Sequence, residues 1–317
     1  MKKLITLLAA AAVVLTGCTP AEEIKDIRLA THESFVITDE QVAEFESQTG
    51  YKLEVVRVGD AGELTNQLVL AKDAPFADIF YGVDNTMLHL IENNSVSENP
   101  VAINYGDVCF NYDIEWFTKT GLTPPTSWRE LGDPKFKNLT VVTNPILSSP
   151  GLAFLATTFA AFDSNAETFA YWRSLRDNGV RISNGWSDAY FGDYTRYGGN
   201  RPIVLSYASS PAAEVLYNGE PGAAALLDEC FRQTEFGGVI KKAKNPKGGQ
   251  ALLDYLLSES FQTGLPTNMY VYPIIETELP EAWSKFAIPA RSTLGEKLDF
   301  EAGREQWLKD WSDVFDN

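Results

Sequence analysis

The sequence predicts an α/β protein of two lobes, and three observations carry that prediction. Strand-like and helix-like segments alternate in the order β-α-β-α-β-α from residue 27 to about residue 92, an order that yields a mostly parallel sheet with helices on both faces. The alternation resumes after a β-like stretch near 104–112, giving a second α/β unit. A further β-like run near 230–240 provides a second crossing between the units. The expected arrangement is lobe 1 over 27–104 with about 232–275 and lobe 2 over 105–231 with about 276–317. A chain of 317 residues accommodates two domains of ordinary size.

Residues 1–17 read as a leader. Lys2 and Lys3 precede an apolar run from Leu4 to Leu15, too short to span a membrane and of signal-peptide length. The run ends in Leu15-Thr16-Gly17-Cys18, which resembles the lipobox of bacterial lipoproteins. That likeness implies cleavage before Cys18, lipidation of Cys18, a tethered linker over 18–26 and an extracytoplasmic protein anchored to the cell membrane. Cleavage removes two of the 26 basic residues and leaves 24 against 43 acidic ones. So acidic a chain is unsuited to nucleic acid, which requires a basic patch. Two cysteines remain, Cys109 and Cys230. Outside the cytoplasm such a pair oxidises where geometry allows, two buried free thiols being the alternative.

The elements follow in order. Ile27–Thr31 reads as a strand, and Thr38 with Gln41 forms a capping box for a helix stopped near Gly50. Lys52–Val58 alternates as a strand, and Glu63–Lys72 has helical periodicity. Ala77–Tyr81 is a buried strand, with a helix expected over Asp84–Glu92. In the second unit, Ser127 or Thr126 caps a helix and Leu139–Thr143 is a strand. Ser148-Ser149-Pro150-Gly151 then opens the helix Leu152–Phe162, and Ser164 with Glu167 forms another capping box. After the strand Val180–Ser183, the segment Ile203–Tyr207 ends in Ala208-Ser209-Ser210-Pro211. Ser210 suits a helix N-cap and Pro211 the first helical position, so two serine-capped helix ends with free amide donors are expected to face one cleft. Asn245-Pro246 starts a further helix, and Phe300–Phe315 is amphipathic, with Trp307, Leu308, Trp311 and Phe315 on one stripe.

Catalytic signatures are sparse. His32 and His89 are the two histidines, neither in a zinc-binding spacing, and both phosphate-binding glycine motifs are missing. Gly185-Trp186-Ser187-Asp188 is faintly like a hydrolase elbow, but no histidine follows it. A ferric site of adjacent tyrosines is disfavoured because Tyr207 is followed by Ala208. Neither an enzyme, a cofactor nor a metal is expected; a secreted hydrolase is the reading from another class.

Taken together, the lipobox, Ala77-Asp78-Ile79-Phe80-Tyr81-Gly82-Val83-Asp84-Asn85, Ser148-Ser149-Pro150-Gly151, Gly185-Trp186-Ser187-Asp188-Ala189-Tyr190, Leu205-Ser206-Tyr207-Ala208-Ser209-Ser210-Pro211 and Leu265-Pro266-Thr267-Asn268 resemble the thiamine-binding receptors of bacterial ABC importers. These share the type II periplasmic-binding-protein fold with ferric and spermidine receptors. The resemblance implies two lobes joined by a two-strand hinge. It also implies a monomer that binds thiamine or a thiamine phosphate and docks on an ABC permease, with another small cation such as a polyamine, or ferric ion, as the alternative ligand. Asp60 and Ala61 match the family's Asp-Gly loop, Ser148 and Ser149 its Ser-Thr pair, Trp186 its tryptophan, and Tyr207, Ala208, Ser209 and Ser210 its Tyr-Thr-Thr-Ser turn. Asp84 joins the candidate set from a loop at a strand C-terminus, where ligands of such sheets gather. The chain departs from the family at His32, where a tyrosine is usual, at Tyr270, where a tryptophan is usual, and at Ala213, where a tyrosine is usual; His32 and Tyr270 remain candidates at those positions.

Overall fold

A computed structural model describes residues 24–315. The leader, Cys18 and most of the linker lie outside the described residues. The chain runs β1 (Asp26–Thr31), α1 (Asp39–Thr49), β2 (Lys52–Arg57), α2 (Ala61–Leu70), β3 (Ile79–Asp84), α3 (Leu88–Asn93), β4 (Val101–Asp113) and α4 (Ile114–Thr120). It continues through β5 (Thr140–Thr143), α5 (Ser149–Ala161), α6 (Asn165–Asp177), β6 (Arg181–Ser183), β7 (Ile203–Tyr207), β8 (Ala223–Ala225) and β9 (Phe231–Val239). Last come α7 (Pro246–Leu256), α8 (Glu259–Met269), β10 (Tyr272–Pro273), α9 (Glu281–Phe286) and α10 (Phe300–Phe315).

The strands order as β2-β1-β3-β9-β4-β7-β5-β6, with β8 and β10 paired to β4. β2, β1 and β3 are mutually parallel, as are β7, β5 and β6. Between these halves β4 and β9 run antiparallel from Val101 opposite Gly237 to Val108 opposite Phe231, with a register shift between Ala102 and Asn104. β9 also pairs with β3 and β4 with β7, so the two crossings lie side by side, β9 against the β1 half and β4 against the β5 half. Cys109 and Cys230 are disulfide-bonded at one end of the pair, their Cα atoms 4.9 Å apart.

Local chemistry accounts for the helix ends. Thr38 and Gln41 make the capping box of α1, and Gly50 closes it in the left-handed conformation. Asp60 and Glu63 do the same at the start of α2. α10 forms over the expected Phe300–Phe315 and lays Trp311 and Phe315 against the fully buried Trp172 of α6.

Three expectations are corrected. Asp84 ends β3 rather than opening a helix, because its Oδ1 accepts from the Thr86 N–H at 2.9 Å and hydroxyl at 2.5 Å, a turn that delays α3 to Leu88. Ser164 caps α6, but the Glu167 carboxylate takes the N–H of Asp163, so half of the box forms. Ser210 and Pro211 open only a 3₁₀ turn, Ser210–Ala212. The Ser210 Oγ is turned back to the Tyr207 N–H, and Glu214 is drawn inward by the hydroxyls of Tyr190 and Tyr197, so no helix grows from there. Finally, α8 was not anticipated: it contains Pro266 in its interior.

Candidate functional site

A cleft of about 260 Å³ opens between the two halves of the sheet. On the β1 side it is lined by His32 and Glu33, from the loop after β1, and by Asp60, the cap of α2. Ser149 and Pro150 of the α5 N-terminus, Trp186 and Tyr207 face them from the other side. Glu235 of β9 and Tyr270, after α8, complete the wall between. The two sides already touch. The Asp60 Oδ2 accepts from the Trp186 N–H at 2.9 Å, the Ser34 and Ser187 hydroxyls are 3.0 Å apart, and the Gly62 N–H donates to the Leu147 carbonyl at 2.8 Å. Such contacts describe a closed cleft.

Aromatic faces are fixed by hydroxyls behind them. The Trp186 indole donates to Ser206 Oγ at 2.9 Å, which lies 2.9 Å from Ser210 Oγ, and Tyr190 stacks on the indole at 4.8 Å. The rings of Tyr207 and Tyr270 stand 6.3 and 6.2 Å from Trp186. Tyr270 sits at φ 59°, a strained setting held by the Ser209 hydroxyl donating to its carbonyl.

Charge in the cleft is mainly acidic. Burial pushes the Asp60 carboxyl up, against the pull of His32 and of the Ala61 and Trp186 amides. Burial, with Asp60 and Asp188 nearby, also raises Glu33. Glu235 is lowered: burial opposes its charge, but His32, Asn104 and Tyr81 together outweigh it. Burial works equally against the His32 imidazolium, yet Glu235, Asp60 and Glu33 leave its pKa raised. An acidic, aromatic enclosure of this size suits a small planar cation.

Residues 77–289 match the family described as bacterial extracellular solute-binding protein. The chain belongs to this family. It is 27% identical to the thiamine-binding periplasmic protein of Salmonella typhimurium, over 84% of this chain and 85% of that one. The thiamine-binding periplasmic protein of Brucella suis is likewise 27% identical, over 98% of both chains. Among solved structures, a periplasmic thiamin binding protein superposes with a TM-score of 0.81 at 24% identity, covering 91% of this chain and 96% of that one. The fold is thus the expected two-lobed type II periplasmic-binding-protein fold.

Within this solute-binding protein the candidates divide. His32, Asp60, Ser149, Trp186, Tyr207 and Tyr270 line the cleft. Ala61 is buried as the first residue of α2, and Ser148 occupies the N-cap position of α5 beside the Asp60 carboxylate, its hydroxyl making no capping bond. Ala208 packs against the disulfide, while Ser209 and Ser210 sit behind the aromatic residues they hold. Asp84 is buried beneath the cleft with Thr86. Ala213 is exposed after the 3₁₀ turn. Glu235 was missed by sequence reasoning, although Gln233 and Glu235 are polar residues at two-residue spacing on the buried face of β9. Glu33, in the loop after β1 at a strand C-terminus where ligands of such sheets gather, also lines the cleft, as does Phe191, which no motif marked.

Proposed function

We propose that the chain is an extracytoplasmic receptor, tethered by lipid at Cys18, that encloses thiamine or a thiamine phosphate and delivers it to an ABC permease. Its lobes are 27–104 with about 232–275 and 105–231 with about 276–317, hinged on β4 and β9. The observation that carries this reading is the pairing of buried carboxylates, Asp60 and Glu235, with the aromatic faces of Trp186, Tyr207 and Tyr270 in one closed cleft. Thiamine offers the complement, a permanent thiazolium cation joined to a flat aminopyrimidine. The names of the relatives support the same ligand. A phosphate ester would be met by the N-terminus of α5 at Ser149, the one of the two expected helices that forms, although without a side-chain cap from Ser148.

Binding without turnover is the expected mode. The imidazole of the cleft points its Nε2 at Glu235, so it is not poised to activate the Ser149 or Ser187 hydroxyl. The mechanism is hinge closure followed by docking. Titration with thiamine should quench or shift tryptophan fluorescence saturably, with the signal lost in Trp186→Phe. At a hundredfold excess over Kd, binding adds about 2.7 kcal/mol, a rise in melting temperature of roughly 5 °C. Absence of both responses with thiamine and its mono- and diphosphate would refute the ligand assignment.

A further inference from the structure

The wall of the cleft holds an ion pair that a simple aromatic clamp does not need. Glu235 comes from β9, buried to 5% exposure. Its Oε2 accepts from the Tyr81 hydroxyl at 3.1 Å and from Asn104 Nδ2 at 2.9 Å, the latter from β4. Its Oε1 faces His32 Nε2 at 3.4 Å, longer than a normal hydrogen bond. His32 is equally buried, and its ring lies against Gly82, where a Cβ would come within 2.1 Å of Cδ2. Gly82, at φ +101°, is therefore required for the imidazole to reach the cleft.

The ionisable groups facing His32 are Glu235 from β9, Asp60 from α2, the adjacent Glu33, and the Tyr81 hydroxyl-bearing ring of β3 at 5.9 Å. Asp84 of β3 and Tyr207 of β7 act on the pair through Glu235. A buried carboxylate without a counter-charge is costly, so the empty cleft requires a cation beside Glu235. His32 is the group placed to supply it. A ligand with a fixed positive charge arriving in the same cavity neutralises the carboxylates and repels the imidazolium.

We propose that His32 and Glu235 form a proton-for-cation exchange site, in which Glu235 receives the positive charge of the ligand and His32 releases its Nε2 proton to solvent as that charge arrives. The inference rests on the cationic ligand of the proposed function and adds a residue-level account of how the cleft recognises it. Protons then compete with the ligand. Between the His32 midpoints of the empty and the thiamine-bound protein, Kd rises as pH falls, by tenfold in all for each unit that separates them; outside that window Kd is flat.

Imidazole NMR tests this directly, because the chain has two histidines and His32→Asn assigns the signals. In the empty protein the His32 midpoint should lie above about 6.5, the ordinary value. Glu235→Gln and saturating thiamine should each lower it by a unit or more. Calorimetry midway between the two midpoints, in two buffers of different ionisation enthalpy, should read at least about half a proton released per thiamine bound, approaching one as the midpoints separate, and none in His32→Asn. A midpoint unmoved by a bound cation, or full proton release persisting in His32→Asn, overturns the exchange. If thiamine fails to bind while spermidine displaces the proton, only the thiamine reading falls. If neither cation binds, both fall. Should Glu235→Gln not fold, the His32→Asn calorimetry decides alone.

Discussion

Asp60 serves two partners at once. Its Oδ1 accepts the Ala61 N–H at 2.6 Å at the start of α2, and its Oδ2 accepts the Trp186 N–H across the cleft. Asparagine keeps one acceptor oxygen, enough to cap α2, but turns an NH2 donor onto the second N–H, so Asp60→Asn should keep α2 folded while removing both the charge and the bond to Trp186. Hydrogen bonds to a charged acceptor contribute about 1.5–3 kcal/mol, so thiamine affinity should fall roughly 10- to 100-fold by calorimetry. Asp84 behaves differently. Burial pushes its carboxyl up to about 6, although the Thr86 hydroxyl and amide favour the charged form. The folded state therefore binds this proton more tightly than the unfolded chain, whose aspartate titrates near 3.9. Its contribution to stability is greatest below about pH 4, falls as pH rises towards 6, and is constant above. Asp84→Asn should raise stability at pH 7.5 by about 3 kcal/mol, and the gain should vanish at pH 4 in paired thermal melts. Equal melts at both pH values would refute this account of Asp84.

At the scale of elements, the antiparallel pair β4–β9 is where the two halves of the sheet join through strand pairing. The disulfide fastens its end and closes a loop with a sequence separation of 121. Chain-entropy reasoning gives such a closure about 4–5 kcal/mol, so the double variant Cys109→Ala, Cys230→Ala should unfold at markedly lower denaturant by circular dichroism. That pairing and most elements were legible in the sequence, because caps and periodicities are local signals: Thr38 with Gln41, Gly50 and the Trp307–Trp311 stripe act within a turn or two. The errors arose where a rival partner, nearby or distant, outbid the expected rule. Ser210 looks like a cap until Ser206 and Tyr207 claim its hydroxyl. Pro266 looks like a breaker, yet α8 continues past it with Leu265 and Met269 in the core. Glu235 was illegible as a cleft residue for the same reason, since its partners lie 131 to 203 residues away at Asn104, Tyr81 and His32.

At the scale of the molecule, closure joins two surfaces through few bonds, and one of them singles out a glycine. Gly62 is the second residue of α2, and its N–H donates to the Leu147 carbonyl on the opposite side of the cleft. A Cβ at Gly62 would lie 2.6 Å from the carbonyl oxygens of both Ile146 and Leu147, backbone atoms that cannot swing aside. The position is helical, so alanine meets no conformational penalty there and improves helix propensity by up to about 1 kcal/mol. On the proposed division of the lobes, Gly62→Ala therefore leaves lobe 1 as stable as before, or more so, while wedging the cleft. A ligand held by both walls gains its full contacts only when they meet, so a blocked closure lowers affinity by the fraction of closed protein lost. The expected outcome is an unchanged or slightly higher melting temperature without ligand, at least tenfold weaker thiamine binding, and a radius of gyration by X-ray scattering that no longer contracts on adding thiamine. Wild-type scattering that fails to contract would refute closure as the capture mechanism. Contraction retained in Gly62→Ala would instead show that the α2 N-terminus and the Ile146–Leu147 turn do not meet in the liganded state.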